Sequence, residues 1–379
     1  MKNIIICAHK FVTQPDDDLV LFLNRQKSDN VLHIMHGFAD AGHRRSYFRW
    51  FRKGILWSEK STRNFTFLPE PLVYLKEAFF TLVWVLKNRI AWDLFIGMDG
   101  LCATWGNFLR FLLKVKKTVF WAIDFVPRDR FDSVWKNSVY NGVNNSACKR
   151  VDEMWDLSPK MAQARNAANK ITASHYKKHR VVPYGVWRDR INPCDFAGCE
   201  KNTIVFMGHL IEKQGVQLML KALGPILEQK PDTVFKIIGD GAYRKSLEAF
   251  AKKSGVWGNC RFMGKIDDII RVENELAKAC IAVAPYIKEL DRFTAYADPG
   301  KIKTYLACGL PVLLTDLPWN AGEIERLNCG LITSEKADDI AAKTLFLMDA
   351  ANNITYRQNA RRYSKTFDYK NIFGRCFPE

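Results

Sequence analysis

The stretch from 297 to 316 constrains this chain more than any other, because it reads as a helix followed at once by a buried strand. Asp298 can accept hydrogen bonds from the first free amides as an N-cap, and Pro299 suits the first helical position. Gly309 ends the helix before the apolar residues 312–314. The pattern therefore predicts a helix with a sharply defined start inside an α/β domain.

The start of this helix has the features of an anion-binding site. Gly300 lacks a side chain, so an anionic group can approach the unpaired amides of the first turn, where the helix dipole also favours negative charge. Lys301 adds a mobile cation at the same point. Together they predict a diphosphate seat that needs no metal, and the alternative is an ordinary capped helix.

Length and cysteine usage indicate a two-domain protein of a reducing compartment. A chain of 379 residues exceeds the size at which one core usually stops growing. Its ten cysteines show no CxxC pair and no metal-type spacing, so we expect no disulfide and no structural zinc. The N-terminal apolar segment is too short for a signal peptide. The apolar run 78–86 falls well short of the roughly 20 residues of a membrane span, which predicts a soluble or peripheral protein.

The net charge of +17 lies mainly in the first half of the chain. Residues 1–190 hold 31 Lys and Arg against 17 Asp and Glu. Within them, segments 43–53 and 107–117 interleave basic side chains with aromatic rings and leucines, which suits the headgroup region of an anionic membrane. The second segment is equally typical of a surface helix with its apolar side on the core. No nucleic-acid motif accompanies the charge, so we expect no nucleic-acid partner.

Strand and helix signals alternate along the chain, which is the doubly wound pattern. Gly and Pro without periodicity mark a linker between 184 and 202. We therefore predict an N-terminal Rossmann-like domain over 1–190, a second one over 191–356, and a C-terminal tail helix over 357–379 that packs back toward the first domain. Gly follows a predicted strand at 208, 239 and 264, where a ligand would lie along the carboxyl ends of the second sheet.

The order and spacing of several motifs resemble glycosyltransferases of the GT-B fold over nearly the whole chain. The motifs lie at 182–186, 206–216, 237–248, 262–264 and 301–311. The resemblance implies two Rossmann-like doubly wound domains facing a cleft, with the nucleotide-sugar donor in the second domain and the acceptor and membrane on the first. The large retaining GT-B family carries two glutamates where this chain has Tyr296 and Thr304, and an arginine where it has His209.

The pattern around Lys301, with Tyr286 upstream, is more similar to the inverting, membrane-associated glucuronosyltransferase of xanthan assembly. That resemblance puts Tyr286 and Lys301 on the donor diphosphate, Thr304 near the ribose, Lys265 and Ile266 along the base, and Leu210 on the wall beside it. The donor-side residues that it implies are Gly208, His209, Leu210, Gly239, Gly264, Lys265, Ile266, Tyr286, Pro299, Gly300, Lys301 and Thr304.

Inverting transfer needs a base that removes the acceptor hydroxyl proton. Asp124 follows a predicted first-domain strand, which makes it our choice of base, and its alternative is an N-cap or an ion pair with Arg128 or Arg130. Asp99 is the competing base, although it also suits a turn. His9 and Lys10 follow the first strand and are the acceptor-side candidates, against a solvated loop.

These observations predict a metal-independent glycosyltransferase with no cofactor besides its donor. It would move a sugar from a nucleotide-sugar, expected to be a UDP-sugar, to a lipid-linked saccharide in bacterial surface polysaccharide synthesis, with inversion. It would be cytoplasmic and peripheral on the inner face of the cell membrane. The alternatives are a retaining GT-B enzyme and an inactive transferase-like protein that binds saccharide or scaffolds an assembly.

Overall fold

The computed structural model describes residues 3–10, 14–37, 44–88, 90–125, 127, 130–172, 175, 178–291 and 293–378. The chain divides into two compact units. The N-terminal unit comprises residues 1–183 with 373–379, and the C-terminal unit comprises residues 184–372. Both are α/β units, each built around one sheet that contains parallel strands.

The N-terminal unit alternates strands and helices. Its elements are β1 (Asn3–Lys10), α1 (Asp16–Arg25), β2 (Asn30–Gly37), β3 (Ser46–Arg52), β4 (Ile55–Ser61), α2 (Glu70–Lys87), β5 (Trp92–Gly97), α3 (Gly100–Phe111), β6 (Val115–Ala122), α4 (Val134–Arg150), β7 (Glu153–Asp156), α5 (Pro159–Asn169) and β8 (Lys178–Val181). The described strands form one sheet in the order β4-β3-β2-β1-β5-β6-β7-β8. All pairs from β2 to β8 are parallel, and β3 and β4 are added antiparallel at one edge.

Strand β3 contains most of the segment 43–53, which the sequence predicts to contact a membrane. Ser46, Phe48 and Trp50 alternate inward and are buried, while β3 pairs with β2 along its length. Alternate side chains of a strand point to opposite faces of the sheet, so the buried residues of β3 face the core while the residues between them point to the other face. The rings of Phe48 and Trp50 therefore belong to the core, whereas those of Tyr47 and Phe51 are half-buried on the other face of the sheet. His43 lies outside the described residues.

The C-terminal unit has a parallel sheet in the order β11-β10-β9-β12-β13-β14. Its elements are β9 (Glu200–Met207), α6 (Val216–Gln229), β10 (Val234–Ile238), α7 (Arg244–Lys253), β11 (Cys260–Gly264), α8 (Ile269–Lys278), β12 (Ala279–Ala284), α9 (Gly300–Ala307), β13 (Val312–Leu314), α10 (Ala321–Arg326), β14 (Gly330–Ile332), α11 (Ala337–Met348) and α12 (Ala350–Ser364). Its strands are nearly continuous apolar runs because both faces of a parallel sheet are covered by helices. Ile204, Phe206, Ile281 and Val283 are all fully buried.

The C-terminal tail differs from the single helix that the sequence predicts. Helix α12 ends at Ser364, a short 3₁₀ turn follows, and α13 (Tyr369–Cys376) completes the chain. Phe373 and Phe377 of this last segment pack on Phe22, Trp121 and Trp155 within the N-terminal unit.

Two further features of the described residues bear on the sequence analysis. The cysteines are all free thiols, and most are buried. None of the helices in the described part of the chain is both long enough and apolar enough to cross a membrane.

Candidate functional site

Helix α9 begins one residue later than the sequence predicts, and its cap differs from the prediction. Pro299 occupies the N-cap position without a side-chain hydrogen bond to the helix, and the first helical residue is Gly300. Asp298 is buried instead, where it accepts hydrogen bonds from the Tyr184 amide at 2.9 Å, Lys303 Nζ at 2.7 Å and Trp319 Nε1 at 2.8 Å. Asp298 is thus committed to a buried network and does not cap the first amides of α9.

Lys301 sits in an aromatic recess at the start of α9. Its Nζ lies 4.4 Å from the ring centre of Phe206 and 4.8 Å from that of Tyr286, and it donates a hydrogen bond to Gln214 Oε1. Burial lowers the pKa of Lys301 to about 7, although the negative charge of Asp291 acts in the opposite direction. Among the described residues, Lys301 forms no ion pair. Asp291, the negative charge that acts on it, pairs with Lys213 instead, at 3.0 Å. A desolvated cation without a carboxylate partner is costly and favours an anionic ligand.

Glycines lie at the ends of β9, β10 and β11, and the first of them, Gly208, lies beside Lys301. A Cβ on Gly208 would lie 3.1 Å from Lys301 Nζ, and a Cβ on Gly239 would lie only 1.9 Å from the Gly208 carbonyl oxygen. Gly239 has a φ of +138°, and Gly264 has a φ of +72° and accepts the Gly239 amide at 2.8 Å. The crossing of the loops after β9 and β10 therefore requires glycine, whatever ligand lies beyond it.

The remaining donor-side candidates differ in how far they are exposed to solvent. His209 and Lys265 are exposed, and Lys265 pairs with Asp267 at 2.6 Å. Leu210 is completely buried in the core. Thr304 and Ile266 are half-buried, with the Thr304 hydroxyl donating to the Gly300 carbonyl at 3.3 Å.

Tyr286 is only 1% exposed, and its ring forms one wall of the Lys301 recess. Burial raises the pKa of its phenol well above the usual value, so the hydroxyl stays protonated. The structure brings Gly208, Tyr286, Gly300 and Lys301 together and leaves Lys265 at the surface.

In the N-terminal unit, Asp124 lies just beyond the end of β6 and is 46% exposed. Its carboxylate is 2.6 Å from Arg130 Nη2, and the Arg130 guanidinium stacks over the Tyr140 ring at 5.2 Å. Arg128, the other partner considered, is outside the described residues. The ion pair with Arg130 is thus present, and the catalytic role of Asp124 remains a prediction.

The acceptor-side candidates His9 and Lys10 are both engaged. Lys10 pairs with Asp17 and lies 3.8 Å from Asp16. His9 is held by two carboxylates, with Nδ1 2.7 Å from Asp99 Oδ2 and Nε2 3.0 Å from Glu77 Oε2. Burial alone would lower the pKa of His9, but the charges and hydrogen bonds of Asp99 and Glu77 outweigh it and raise that pKa well above its usual value.

Two clusters of atoms that could bind a metal occur among the described residues. They comprise His9, Asp99 and Cys102, and Asp16, Asp17 and His33. In each, the histidine already hydrogen-bonds a carboxylate of the same cluster, at 2.7 Å and 2.9 Å respectively. That pairing accounts for their proximity, and metal independence remains a prediction.

Sequence reasoning missed Gln214 and Glu77, the partners of Lys301 and His9. Gln214 comes from the turn after β9, 87 residues from Lys301, so no local pattern connects the two. Glu77 is 1% exposed within α2, and the only signal was a Lys-Glu pair that interrupts an apolar helix. Buried charges in such a helix indicate a specific polar partner.

Comparison with known proteins shows that part of this chain matches a described protein family. Residues 201–350, which contain Gly208, Tyr286 and Lys301, match the family described as Glycosyl transferases group 1. No curated protein sequence matches the chain.

Solved structures resemble the chain over its whole length. WaaG, a glycosyltransferase involved in lipopolysaccharide biosynthesis, is 16% identical with a TM-score of 0.67, covering 98% of each chain. HepE from Anabaena, solved in complex with UDP, is 15% identical with a TM-score of 0.68, covering 99% of this chain and 98% of that one. The chain has the GT-B fold.

A third GT-B structure, sucrose-phosphate synthase from Thermosynechococcus elongatus, is 15% identical with a TM-score of 0.69, covering 99% of this chain and 97% of that one. The fold predicted from sequence is therefore confirmed. Because enzymes with different substrates share the GT-B fold, substrate and mechanism must be argued from the residues of the site.

Proposed function

We propose that this protein is a glycosyltransferase that takes a UDP-sugar as donor, with the diphosphate seated at the start of α9. The observation that carries the proposal is Lys301, a desolvated cation without a carboxylate partner among the described residues, beside the uncapped amides of Gly300 and Lys301. The dipole of α9 adds to the attraction for an anion. The family match over 201–350 and the UDP bound by HepE support a nucleoside diphosphate as that anion.

The chemistry we propose is metal-independent and inverting, as in the glucuronosyltransferase of xanthan assembly. Tyr296 and Thr304 stand where the retaining family has glutamates, which supports a mechanism without them. Asp124 would accept the proton of the acceptor hydroxyl while that oxygen attacks the anomeric carbon and the bond to the diphosphate breaks. Lys301 would stabilise the charge that develops on the leaving diphosphate.

We further propose that the acceptor is a lipid-linked saccharide of bacterial surface polysaccharide synthesis, reached at the inner face of the cell membrane. Support comes from exposed apolar side chains on the N-terminal unit, in α2, at the start of α4 and at Phe67 three residues before α2, which we call the α2–α4 surface. Its exposed members are Phe67, Leu72, Leu75, Phe79, Val134 and Trp135. The two helix starts are joined by an ion pair of 2.8 Å between Glu70 and Lys136.

An anionic membrane fits the α2–α4 surface better than a protein partner does. Helix α4 contains Lys136, Lys149 and Arg150 and no acidic residue, and Trp135 beside Lys136 is the pairing found at membrane interfaces. The segment 107–117 adds exposed Phe111 and Leu113. The excess of basic residues over 1–190 is complementary to anionic headgroups.

The donor proposal is tested by calorimetric titration of the protein with UDP, GDP and dTDP, each in the presence of EDTA. We expect saturable binding of UDP and a loss of roughly 10- to 100-fold in affinity for Lys301→Ala, because one charge-assisted contact is removed. Lys278→Ala is the matched control, since Lys278 is 55% exposed and pairs with Glu275. Equal UDP affinity in wild type and Lys301→Ala would disprove the seat, and binding only without EDTA would disprove metal independence.

A further inference from the structure

Three charged side chains from separate parts of the chain meet in the N-terminal unit, and the proposed reaction uses none of them. His9 lies near the end of β1, Asp99 lies between β5 and α3, and Glu77 lies in α2. The His9 ring bridges the two carboxylates at 2.7 Å and 3.0 Å. His9 and Glu77 are buried, whereas a third of the Asp99 side chain is exposed. Asp99 is therefore the one member of this group that a ligand can reach.

The group lies where a doubly wound sheet binds ligands. Strand β1 is flanked by β2 on one side and β5 on the other. Strands β2 to β4 therefore extend the sheet on one side of β1, and strands β5 to β8 extend it on the other. Such a switch point opens a crevice at the carboxyl ends of the strands. His9 is the next-to-last residue of β1, and Asp99 follows the end of β5 by two residues. Both thus lie at the carboxyl edge of the sheet.

Helix capping does not explain this arrangement. Asp99 Oδ1 accepts the Cys102 amide at 2.8 Å and caps α3, which leaves Oδ2 for His9. Helices α4 and α5 of the same unit are capped by the neutral hydroxyls of Ser133 and Ser158. A cap therefore requires neither a charged carboxylate nor a buried imidazole behind it. Burying His9 and Glu77 has a desolvation cost that capping alone does not offset.

The charge state of the group suits a fixed hydrogen-bond acceptor. Burial by itself would raise the pKa of Asp99, but the charge and hydrogen bond of His9 hold that pKa well below its usual range. Asp99 is therefore ionised at neutral pH and can only accept hydrogen bonds. The same property makes it a poor proton acceptor, which separates its role from that of a general base.

We infer that Asp99 binds and orients a hydroxyl group of the saccharide acceptor, and that His9 and Glu77 are positioning residues that hold its carboxylate in place. This inference rests on the proposed function and adds an acceptor-binding residue to it. A carboxylate whose rotamer is fixed by an imidazolium and by a backbone amide makes a strong, directional contact with a sugar hydroxyl. The proton transfer itself remains with another group.

The test is saturation-transfer NMR of the full-length protein with methyl glycosides of glucose, galactose, mannose and N-acetylglucosamine, with and without UDP. Asp99→Asn keeps the α3 cap and the shape of the side chain but removes its charge. We expect it to weaken the best-bound glycoside roughly tenfold or more. Asp132→Asn, an exposed acid of the same unit, is the control and should bind like wild type.

Deoxy glycosides identify the contact itself. Removing the hydroxyl that Asp99 binds should weaken binding to wild type and have little further effect in Asp99→Asn, whereas removing other hydroxyls should affect both proteins alike. In Glu77→Gln and in His9→Gln, removing the same hydroxyl should weaken binding less than it does in wild type, because Asp99 is no longer held in place. A general loss of affinity for every glycoside would mark merely structural damage and would contradict the positioning role.

The remaining outcomes are decisive as well. Failure of wild type to bind any glycoside, or equal binding by Asp99→Asn, would overturn the inference. So would a fall in turnover with unchanged glycoside binding, because Asp99 would then be the base. UDP titration reports on the other unit, so bound UDP with no Asp99 effect refutes this inference and leaves the donor proposal standing. An Asp99-dependent glycoside effect without UDP binding gives the reverse result.

Discussion

At the scale of single residues, this protein places two ionisable groups in unusual surroundings. Lys301 is enclosed by Phe206 and Tyr286 and hydrogen-bonds the neutral Gln214, so its charge is weakly compensated. His9 lies between two carboxylates, so its charge is strongly compensated. The pKa moves down at Lys301 and up at His9. These opposite shifts lead to two pH dependences that can be measured separately.

The first concerns UDP affinity. Because the pKa of Lys301 is about 7 in the protein without ligand, a fraction of the molecules carries a neutral Lys301 at physiological pH. A bound diphosphate favours the charged form, so we expect proton uptake on binding and an affinity that falls by up to about tenfold per pH unit as pH rises above 7. Calorimetry from pH 6 to 9 in buffers of different ionisation enthalpy measures both effects.

Lys301→Arg is the control for that titration, since a guanidinium stays charged and should remove the protein's share of the pH dependence. What remains in this variant is the titration of the nucleotide. An identical pH profile for wild type and Lys301→Arg would contradict the assignment.

The second pH dependence concerns stability. The pKa of His9 is raised in the folded protein, so its favourable interactions are fully present below the unfolded-state pKa of about 6.5 and are lost as pH rises through the folded-state pKa. Wild type should therefore exceed His9→Gln in stability most clearly below about pH 6.5, and the difference should shrink at alkaline pH. Urea unfolding followed by tryptophan fluorescence measures this, and a difference that grew with pH would contradict it.

At the scale of elements, the start of α9 and the loops after β9 and β10 depend on contacts from distant parts of the C-terminal unit. The buried pair of Asp298 and Lys303 ties the segment before α9 to the Tyr184 amide and to Trp319. Gly208 and Gly239 bring two backbone segments within reach of each other. The recess around Lys301 therefore relies on both features for its shape.

Gly239→Ala tests the loop crossing. Its Cβ would lie 1.9 Å from the Gly208 carbonyl oxygen at a φ of +138°, so we expect a loss of about 2–4 kcal/mol in the free energy of unfolding and a weaker UDP affinity. Gly224→Ala in α6 is the matched control, because a Cβ there meets nothing within 4 Å. The control should gain about 0.5–1 kcal/mol. Equal stability of the two variants in chemical denaturation would refute the crowding argument.

At the scale of the whole molecule, charge and apolar exposure coincide on the N-terminal unit. The basic excess of residues 1–190 and the α2–α4 surface both belong to it, and each alone would give weak membrane affinity. Combined, they predict attachment that depends on anionic lipid and on inserted side chains. Salt should weaken the first contribution and leave the second.

Co-flotation with vesicles of phosphatidylglycerol and phosphatidylcholine tests this attachment. We expect Leu75→Glu combined with Trp135→Glu to reduce binding at least about tenfold, since each side chain contributes about 1.5–3 kcal/mol when buried. Ile270→Glu in the C-terminal unit, which replaces a 53% exposed residue, should bind like wild type. Equal binding to vesicles without anionic lipid, or binding unaffected by the double substitution, would contradict the proposed surface.

Much of the fold could be predicted because parallel strands and their helices leave local signals. The apolar runs at β1, β9 and β12 lie where the sequence places them, and α9 begins at Gly300, one residue later than predicted. Strands β3 and β4 could not be found in this way, because a half-exposed edge strand with arginines between its rings looks like an interfacial segment. The structure of β3 depends on its pairing with β2, which a local sequence pattern does not reveal.

By itself, the sequence determined the alternating strands and helices of two α/β domains and the region where α9 begins, because apolar periodicity and helix-stop residues act over a few neighbouring positions. The GT-B architecture followed from the resemblance of its motifs to that fold. Only the tertiary structure decided what surrounds the candidate site residues. It buried Asp298 against Lys303, gave Lys301 a neutral partner, and placed His9 between Glu77 and Asp99. These contacts join residues far apart in the chain, and their electrostatic consequences depend on burial, which no local pattern contains.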